Sequence, residues 1–583
     1  MKGVPVANKL VYEGQSTQKL PVSKVQATQH IGWPLSVVLS ILVFLLSVVT
    51  STIAIQHMGT LPQLLTLPLS KLFLSLQSLL PSDLHLLKNT QDSQLATGSG
   101  QLLPIVVCMG IVYGCGAWLV QKVAARARTS WLLVLIMVSA LVAGLVYLFT
   151  PALLSQDVIA YADYGRSIIT HHSNPYFVPP VKSSPHDPIT QLDSWNYVIA
   201  SYGPIWLYLC SLCTILFGAH LVPYVLTFRA IGLVAHLANI LLVTGILRAV
   251  GQSRRIVALA AFLYALNPLV LVESCLNAHN DILMTTFMLL GIWFCVRARD
   301  QRVTHPGVYV PAMLALTVSV LIKYASAPLV LFFMVLVVCQ ALRLPVAGTT
   351  SNGHNGMARV RTAIVAVVVM GCVGGVVSLA LFAPFWKGHH LSAIIGSFSA
   401  LPSATHAENS VLRVALEWVK QYGMPSRTSR LYTPLHILSS HSAWSKLNEL
   451  VLAVCLLLGT ALLWWRPTWR SLVLASLFTL EAILIVTPWF YSWYILWIVA
   501  LAAILLAQSG SRLSRACILF AFTFSLTAFF TYLSPYYFPF SSWLGARYLV
   551  TDAPPVLVFC IALLFRGKQP LKSSEEAMPY AGR

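Results

Sequence analysis

Apolar runs of about twenty residues recur along this chain, and that is the length of α-helix needed to cross the hydrocarbon core of a bilayer. We read about fourteen of them, at 33–56, 102–121, 130–150, 223–247, 256–275, 282–298, 307–322, 325–342, 363–385, 447–465, 470–487, 489–508, 515–533 and 548–565. Lipid offers no partner to an unpaired backbone N–H or C=O, so such runs must be helical. The expected fold is therefore all-α and polytopic. Of the 583 residues, 57% are hydrophobic and 9% charged, and the mean hydropathy is +0.76. A soluble globular protein does not have that composition.

The formal charge of +20 raises the question of nucleic acid. The Lys and Arg are scattered at the ends of apolar runs, however, with no clustered basic face, so nucleic acid is not an expected partner. The basic groups set topology instead. Lys122, Arg126 and Arg128 follow the second run, and Arg248, Arg254 and Arg255 separate the fourth from the fifth. Arg297, Arg299 and Arg302 follow the sixth, Arg343, Arg359 and Arg361 the eighth, and Arg566, Lys568 and Lys572 the last. With both termini cytoplasmic, every such cluster falls on the cytoplasmic side. The eleven cysteines have no ligand-like spacing, and most lie inside apolar runs as small hydrophobes.

This topology gives a disordered cytoplasmic leader at 1–32, a membrane domain at 33–565 and a cytoplasmic tail at 566–583. The larger polar elements on the opposite, external face are the loops 151–222, 276–281 and 386–445 and the aromatic rims 487–494 and 531–548. Two segments are read as interfacial or re-entrant helices: 202–218, whose counting as a span would invert the charge pattern after it, and 61–80.

Acid and base gather in the first external loop, SQDVIAYADYGRSIITHHSNPYFVPP (155–180). Asp157 lies near the membrane surface, where low dielectric raises a carboxyl pKa toward that of a general base. On a helix Asp157, Tyr161 and Tyr164 share one face, whereas Asp163 and Arg166 fall on another and suit a local ion pair. Asn174-Pro175-Tyr176 reads as the turn that ends this helix. The turn NAHND puts Asn277, His279, Asn280 and Asp281 between two spans, with Glu273 one turn earlier. Polar groups at that depth are costly, so they mark a candidate site; Asp281 also suits an N-cap. His279 and Asp281 without a third ligand at fitting spacing do not make a metal site. Lys323 is the one charge between the seventh and eighth runs and breaks the positive-inside pattern, which suits a phosphate-binding cation or a snorkelling side chain. Arg413, Arg427 and Arg430 are weaker phosphate candidates. Glu481 is a lone acid within a run. The run PWFYSWYILW (488–497) is an aromatic belt in which Trp489, Tyr491 and Tyr494 can also stack on a sugar or grip a lipid chain.

Taken together, QDVIAYADYGR…NPY after an early span, YGPIW beginning at Tyr202, NAHND, LIKY around Lys323 and PWFYSWYILW resemble the GT-C superfamily of membrane glycosyltransferases. The closer resemblance is to bacterial polyprenyl-phosphate-mannose-dependent mannosyltransferases, including the α-(1→6) group, and it covers about 130–497. It implies a multi-span fold in the plasma membrane with its site on the external face. Asp157 would be the essential acid of the first large loop. The remaining loop residues, Tyr161, Asp163, Tyr164, Arg166, Asn174, Tyr176 and Tyr202, would join the NAHND polar groups in holding substrate, and Lys323 would hold the lipid phosphate. The implied partners are a polyprenyl-phosphate sugar donor, a glycan or glycolipid acceptor, and membrane lipid. Val158 follows Asp157, so the tandem DD or DxD of metal-dependent relatives is missing, and no cofactor or divalent metal is indicated.

Two functions of different class are thus compatible with the chain. One is an inverting, lipid-donor sugar transferase. The other is a transporter or flippase for a lipid-linked sugar, for which inverted repeats and mid-membrane charges are the expected marks. No internal repeat is visible, and the acids gather on one face.

Overall fold

The computed structural model describes residues 24–59, 61, 64, 93–124, 130–300, 306–343, 355–399, 406–508, 510–532 and 544–565. Among them no strand occurs, only an isolated bridge between Glu408 and Trp489. The chain is an all-α, multi-pass membrane protein. Among the described residues ten helices are long and apolar enough to cross a bilayer, and a pair bent by 53°, Arg254–Ala265 and Pro268–Leu276, passes the same test when taken together.

Among the described residues the count of about fourteen full spans is thus not reached. The other three segments, 307–322, 489–508 and 548–565, are helical but carried by the shorter Gly307–Ile322, Ser492–Leu505 and Tyr548–Leu564. The reason is clearest in Leu496–Leu505, where every residue is buried. Its apolarity faces protein, and hydropathy cannot tell protein from lipid. Segment 202–218 forms a 14-residue helix, Pro204–Phe217, too short to cross alone and packed beside the Asp157–Ile169 helix. The first helix already begins at Lys24, so the end of the expected disordered leader is helical. Residues 1–23, nearly all of 61–80, 533–543 of the second rim and the tail 566–583 lie outside the described residues.

The break in the bent pair positions the site. Leu266 ends the first half; Asn267 then caps a new start, its side chain accepting from the Val270 N–H at 3.2 Å, and Pro268 takes the first helical position, where no N–H is needed. The chain continues as a π-helix, Val272–Leu276, a form often found at functional sites. It packs so closely on the Leu221–Ala249 helix that a Cβ at Gly232 would overlap the Ser274 carbonyl oxygen.

Candidate functional site

Asp157 occupies the first turn of the Asp157–Ile169 helix and is buried. Burial pushes its carboxyl up, but His279, Lys323 and the Tyr202 hydroxyl outweigh that and hold it below the ordinary carboxylate range. The raised pKa expected from low dielectric is thus overturned by charge compensation. The Tyr202 hydroxyl donates to Asp157 Oδ2 at 3.2 Å, and Ser155 Oγ donates to Oδ1 at 3.4 Å.

His279 sits behind Asp157, fully enclosed. Its Nδ1 lies 3.4 Å from Asp157 Oδ2 and its Nε2 3.3 Å from Glu273 Oε2. These are ion-pair contacts without good hydrogen-bond geometry. The ring stacks on Trp493 with centroids 4.0 Å apart. Burial alone would lower His279, but the two carboxylates outweigh it and push it up to about 9. Near neutral pH an imidazolium therefore stands between Asp157 and Glu273. Glu273 also accepts from Ser492 at 2.7 Å, from Asn277 at 2.9 Å and from Tyr532 at 2.9 Å. Asn277 Oδ1 in turn accepts from the Leu154 N–H at 3.0 Å and the Ser155 N–H at 3.3 Å. NAHND thereby fixes the entry to the Asp157 helix. Ala278 holds φ +57° to make the turn, a conformation costly for Ala.

Asp281 opens the next span and receives Lys323 Nζ at 2.8 and 2.9 Å and Trp497 Nε1 at 2.5 Å. Lys323 caps the C-terminus of the Val310–Ile322 helix, with Nζ 4.8 Å from the Tyr494 ring centroid. Its loop is held where the Gly203 N–H donates to the Ile322 carbonyl at 2.9 Å, beside Tyr202.

Asp157, Tyr164, Tyr202, Lys323, Trp489, Tyr491 and Tyr494 line one open cleft of about 490 Å³. Tyr161, Asn277, His279, Asn280 and Asp281 form the buried layer behind it. Tyr161 packs edge-on to Tyr202 and Trp206, and its hydroxyl accepts the Asn280 N–H at 3.3 Å. Asn280 is buried with neither amide atom hydrogen-bonded among the described residues. The remaining loop residues stay outside the cleft. Arg166 pairs with Asp187 at 2.5 Å, not with Asp163 as its spacing suggested. A partner 21 residues away cannot be read from helical periodicity. Asp163 accepts from Thr190 at 2.5 Å; burial and the Asp187 charge push its carboxyl up, and burial and the Asp163 charge push Asp193 up. Asn174 donates to the Phe385 carbonyl at 2.5 Å, and Tyr176 to the Tyr202 carbonyl at 2.8 Å; both brace the loop. Arg413 pairs with Glu417 at 2.9 Å and does not line this cleft, nor do Arg427, Arg430 or the buried Glu481.

Sequence reading missed Arg229. It is fully buried in the Leu221–Ala249 helix, and its guanidinium donates to four carbonyls: Leu148 at 3.0 Å, Thr150 at 2.7 Å, Ala152 at 2.5 Å and Leu276 at 2.7 Å. Those oxygens end the helix before Asp157 and the π-helix before NAHND, so one side chain sets the distance between the two halves of the site. The signal was available as a lone Arg within an apolar run, which membrane segments rarely tolerate.

Residues 69–340 match the family model described as alpha-(1->6)-mannopyranosyltransferase, N-terminal domain. Alpha-(1->6)-mannopyranosyltransferase A of Mycobacterium tuberculosis is 26% identical over 363 residues, which are 59% of this chain and 61% of that protein. A second alpha-(1->6)-mannopyranosyltransferase of the same organism is 27% identical over 164 residues, 27% of this chain and 26% of its own length. The matches thus span less than two thirds of either relative. The likeness to alpha-(1->6)-mannosyltransferases read from the motifs agrees with these matches. Among solved structures, the oligosaccharyltransferase of Archaeoglobus fulgidus in its apo form aligns with a TM-score of 0.34 and 14% identity, covering 76% of this chain and 57% of that one.

Proposed function

We propose that this protein is a membrane glycosyltransferase that moves a hexose, mannose by analogy with its relatives, from a polyprenyl-phosphate donor to a glycan or glycolipid acceptor, with inversion and on the external face of the plasma membrane. One observation carries the reading: the Asp157 carboxylate and the Lys323 ammonium line the same aromatic cleft. In a single displacement the acceptor hydroxyl attacks C1 of the donor sugar. The C1–O bond to the phosphate breaks, and its electron pair leaves on polyprenyl phosphate. The hydroxyl proton passes to Asp157. Lys323 stabilises the charge growing on the leaving phosphate, where a fixed cation in a dry site is most effective.

Asp157 is ionised throughout the neutral range, so it accepts the proton only as the attacking oxygen becomes acidic in the transition state. His279 and Glu273 keep the carboxylate oriented. The rings of Tyr491, Trp489 and Tyr494 give the sugar's C–H faces and the lipid's first isoprene apolar walls. The scheme as written uses no metal.

The test is transfer from labelled polyprenyl-phosphate mannose by the purified full-length protein in lipid. Transfer that persists in EDTA and collapses in folded Asp157→Asn is the expected result. Undiminished transfer by that variant would overturn the assignment. Movement of the labelled lipid across vesicles without any transfer would favour the transport reading.

A further inference from the structure

The segment 411–446 lines no part of the Asp157 cleft. It holds two helices, Val411–Tyr422 and Tyr432–Leu438. Two residues later it runs into the apolar His441–Trp465 helix, which is long enough to cross the membrane. Both short helices are fastened to the first turn of that span. Leu412 packs on Trp444, and the Trp444 indole N–H donates to the Leu438 carbonyl at 2.8 Å.

Their depth follows from length. The span has 25 residues and is about 37 Å long, against about 30 Å of hydrocarbon. Its first turn therefore stands in the headgroup layer, and so do the two helices fixed to it.

No residue of Tyr432–Leu438 is buried, and a helix that short is marginal in water by itself. Tyr422 is 65% exposed, Leu431 62% and Ile437 53%. Trp418 is also exposed, its ring centroid 5.3 Å from that of Tyr422. The exposed apolar surface continues along one face of the span through Leu447, Leu450 and Val454. Apolar surface left open on this scale marks a place of contact, and its continuation along a membrane span points to lipid.

The charges narrow the partner. From 411 to 449 there are five Lys and Arg against two Glu. Glu417 is taken by Arg413 at 2.9 Å. Lys420, Arg427, Arg430 and Lys446 are exposed and have no ion pair among the described residues. All four lie on the cleft's side of the span, where the topology read from the charges leaves few basic groups. Hydrocarbon alone would reject these cations, and water alone would reject the rings. The boundary between headgroups and acyl chains accepts both, with basic side chains reaching up to the phosphates.

We propose that the two helices are an interfacial anchor for anionic phospholipid on the cleft's side of the membrane. Trp418, Tyr422, Leu431 and Ile437 enter the upper acyl layer, and Arg427 and Arg430 bind the phosphates. The occupant is the bilayer itself, not the donor lipid and not a second protein. The inference makes no use of the transfer reading, so either can fail without the other. The anchor is also joined to the cleft. Glu408, three residues before Val411, donates its N–H to the Pro488 carbonyl at 2.8 Å and accepts the Phe490 N–H at 3.0 Å, which ties the segment to the aromatic rim.

The experiment is hydrogen exchange of the full-length protein in nanodiscs of phosphatidylcholine or of phosphatidylglycerol, read on peptides from 411–438. Expected is slower exchange in phosphatidylglycerol, with high salt removing most of the difference. Arg427→Gln combined with Arg430→Gln should lose about 25-fold of that protection, two charges at about fivefold each. Arg427→Lys combined with Arg430→Lys should keep it. Leu431→Asn combined with Ile437→Asn should speed exchange in both lipids. Equal exchange in the two lipids, or protection that survives the glutamine pair, overturns the proposal. Full protection in phosphatidylcholine on adding trace polyprenyl phosphate also overturns it, by making a single lipid the occupant. Protection found only where two copies share a disc overturns it in favour of self-association.

Discussion

Asp157 and Asp163 stand six residues apart on one helix, both buried, and their surroundings drive them in opposite directions. Around Asp157 an imidazolium, an ammonium and a phenol more than offset the cost of burial. Around Asp163 burial and the Asp187 charge outweigh the Thr190 hydrogen bond, and around Asp193 burial and the Asp163 charge act the same way, which leaves both carboxyls wanting a proton. Burial is common to both, so burial does not decide the protonation state; the sign of the nearest charge does. The compensated carboxylate lines the cleft, and the uncompensated pair fastens the loop behind it.

The sharpest attack on this contrast is at Asp157. Asp157→Asn keeps the shape and removes the charge, and transfer should fall by about 10²–10⁴-fold, the range for a lost general base. The same change at Asp163 should cost far less. Comparable losses at both positions would erase the distinction. Next in size is Lys323→Met, which removes the proposed phosphate cation and leaves Asp281 buried and unpaired. A lost partner of that kind costs about 3–5 kcal/mol of stability, so unfolding should be followed beside activity, and Lys323→Arg should recover part of both.

The pH profile sharpens the comparison further. His279 is raised in the folded protein from 6.5 to about 9. Its contribution is thus fully present below pH 6.5 and is lost as pH rises through about 9. The unfolding midpoint should decline across that interval, and His279→Asn should flatten the decline. The smallest effect belongs to Asp193→Asn. Carboxyls whose folded pKa is raised weaken the fold as pH climbs above the ordinary carboxylate range, so this variant should equal or exceed the wild type in alkaline buffer, by about 1 kcal/mol or less. A large loss there would show that the pair is ionised and needed.

The helical architecture was legible in the sequence because lipid forces it: each of the apolar runs holds a helix. Length was less legible, since Leu496–Leu505 is as apolar as a lipid-facing span while wholly enclosed by protein. At the site, Asp157, NAHND and Lys323 could be found because charges are scarce and these three break the pattern. Their pairings could not. Lys323 finds Asp281, Asp157 finds His279, and Arg166 finds Asp187, all through tertiary packing that no local period encodes.

Arg229 has a bearing on how the protein is made. Its guanidinium is satisfied by main-chain oxygens from two separate segments, 148–152 and Leu276, neither of which is available to the Leu221–Ala249 helix alone. An arginine at the centre of a lone membrane helix costs about 2.5–3.5 kcal/mol at insertion, and Arg229, in the first third of its helix, meets part of that cost. That helix is therefore poorly suited to entering lipid by itself. It should leave the insertion machinery in company with the Ser130–Phe149 helix ahead of it and the Pro268–Leu276 segment behind it. Biogenesis of this bundle is then cooperative across about 150 residues of nascent chain, and the two halves of the site are brought together in the same event that lets the arginine into the membrane.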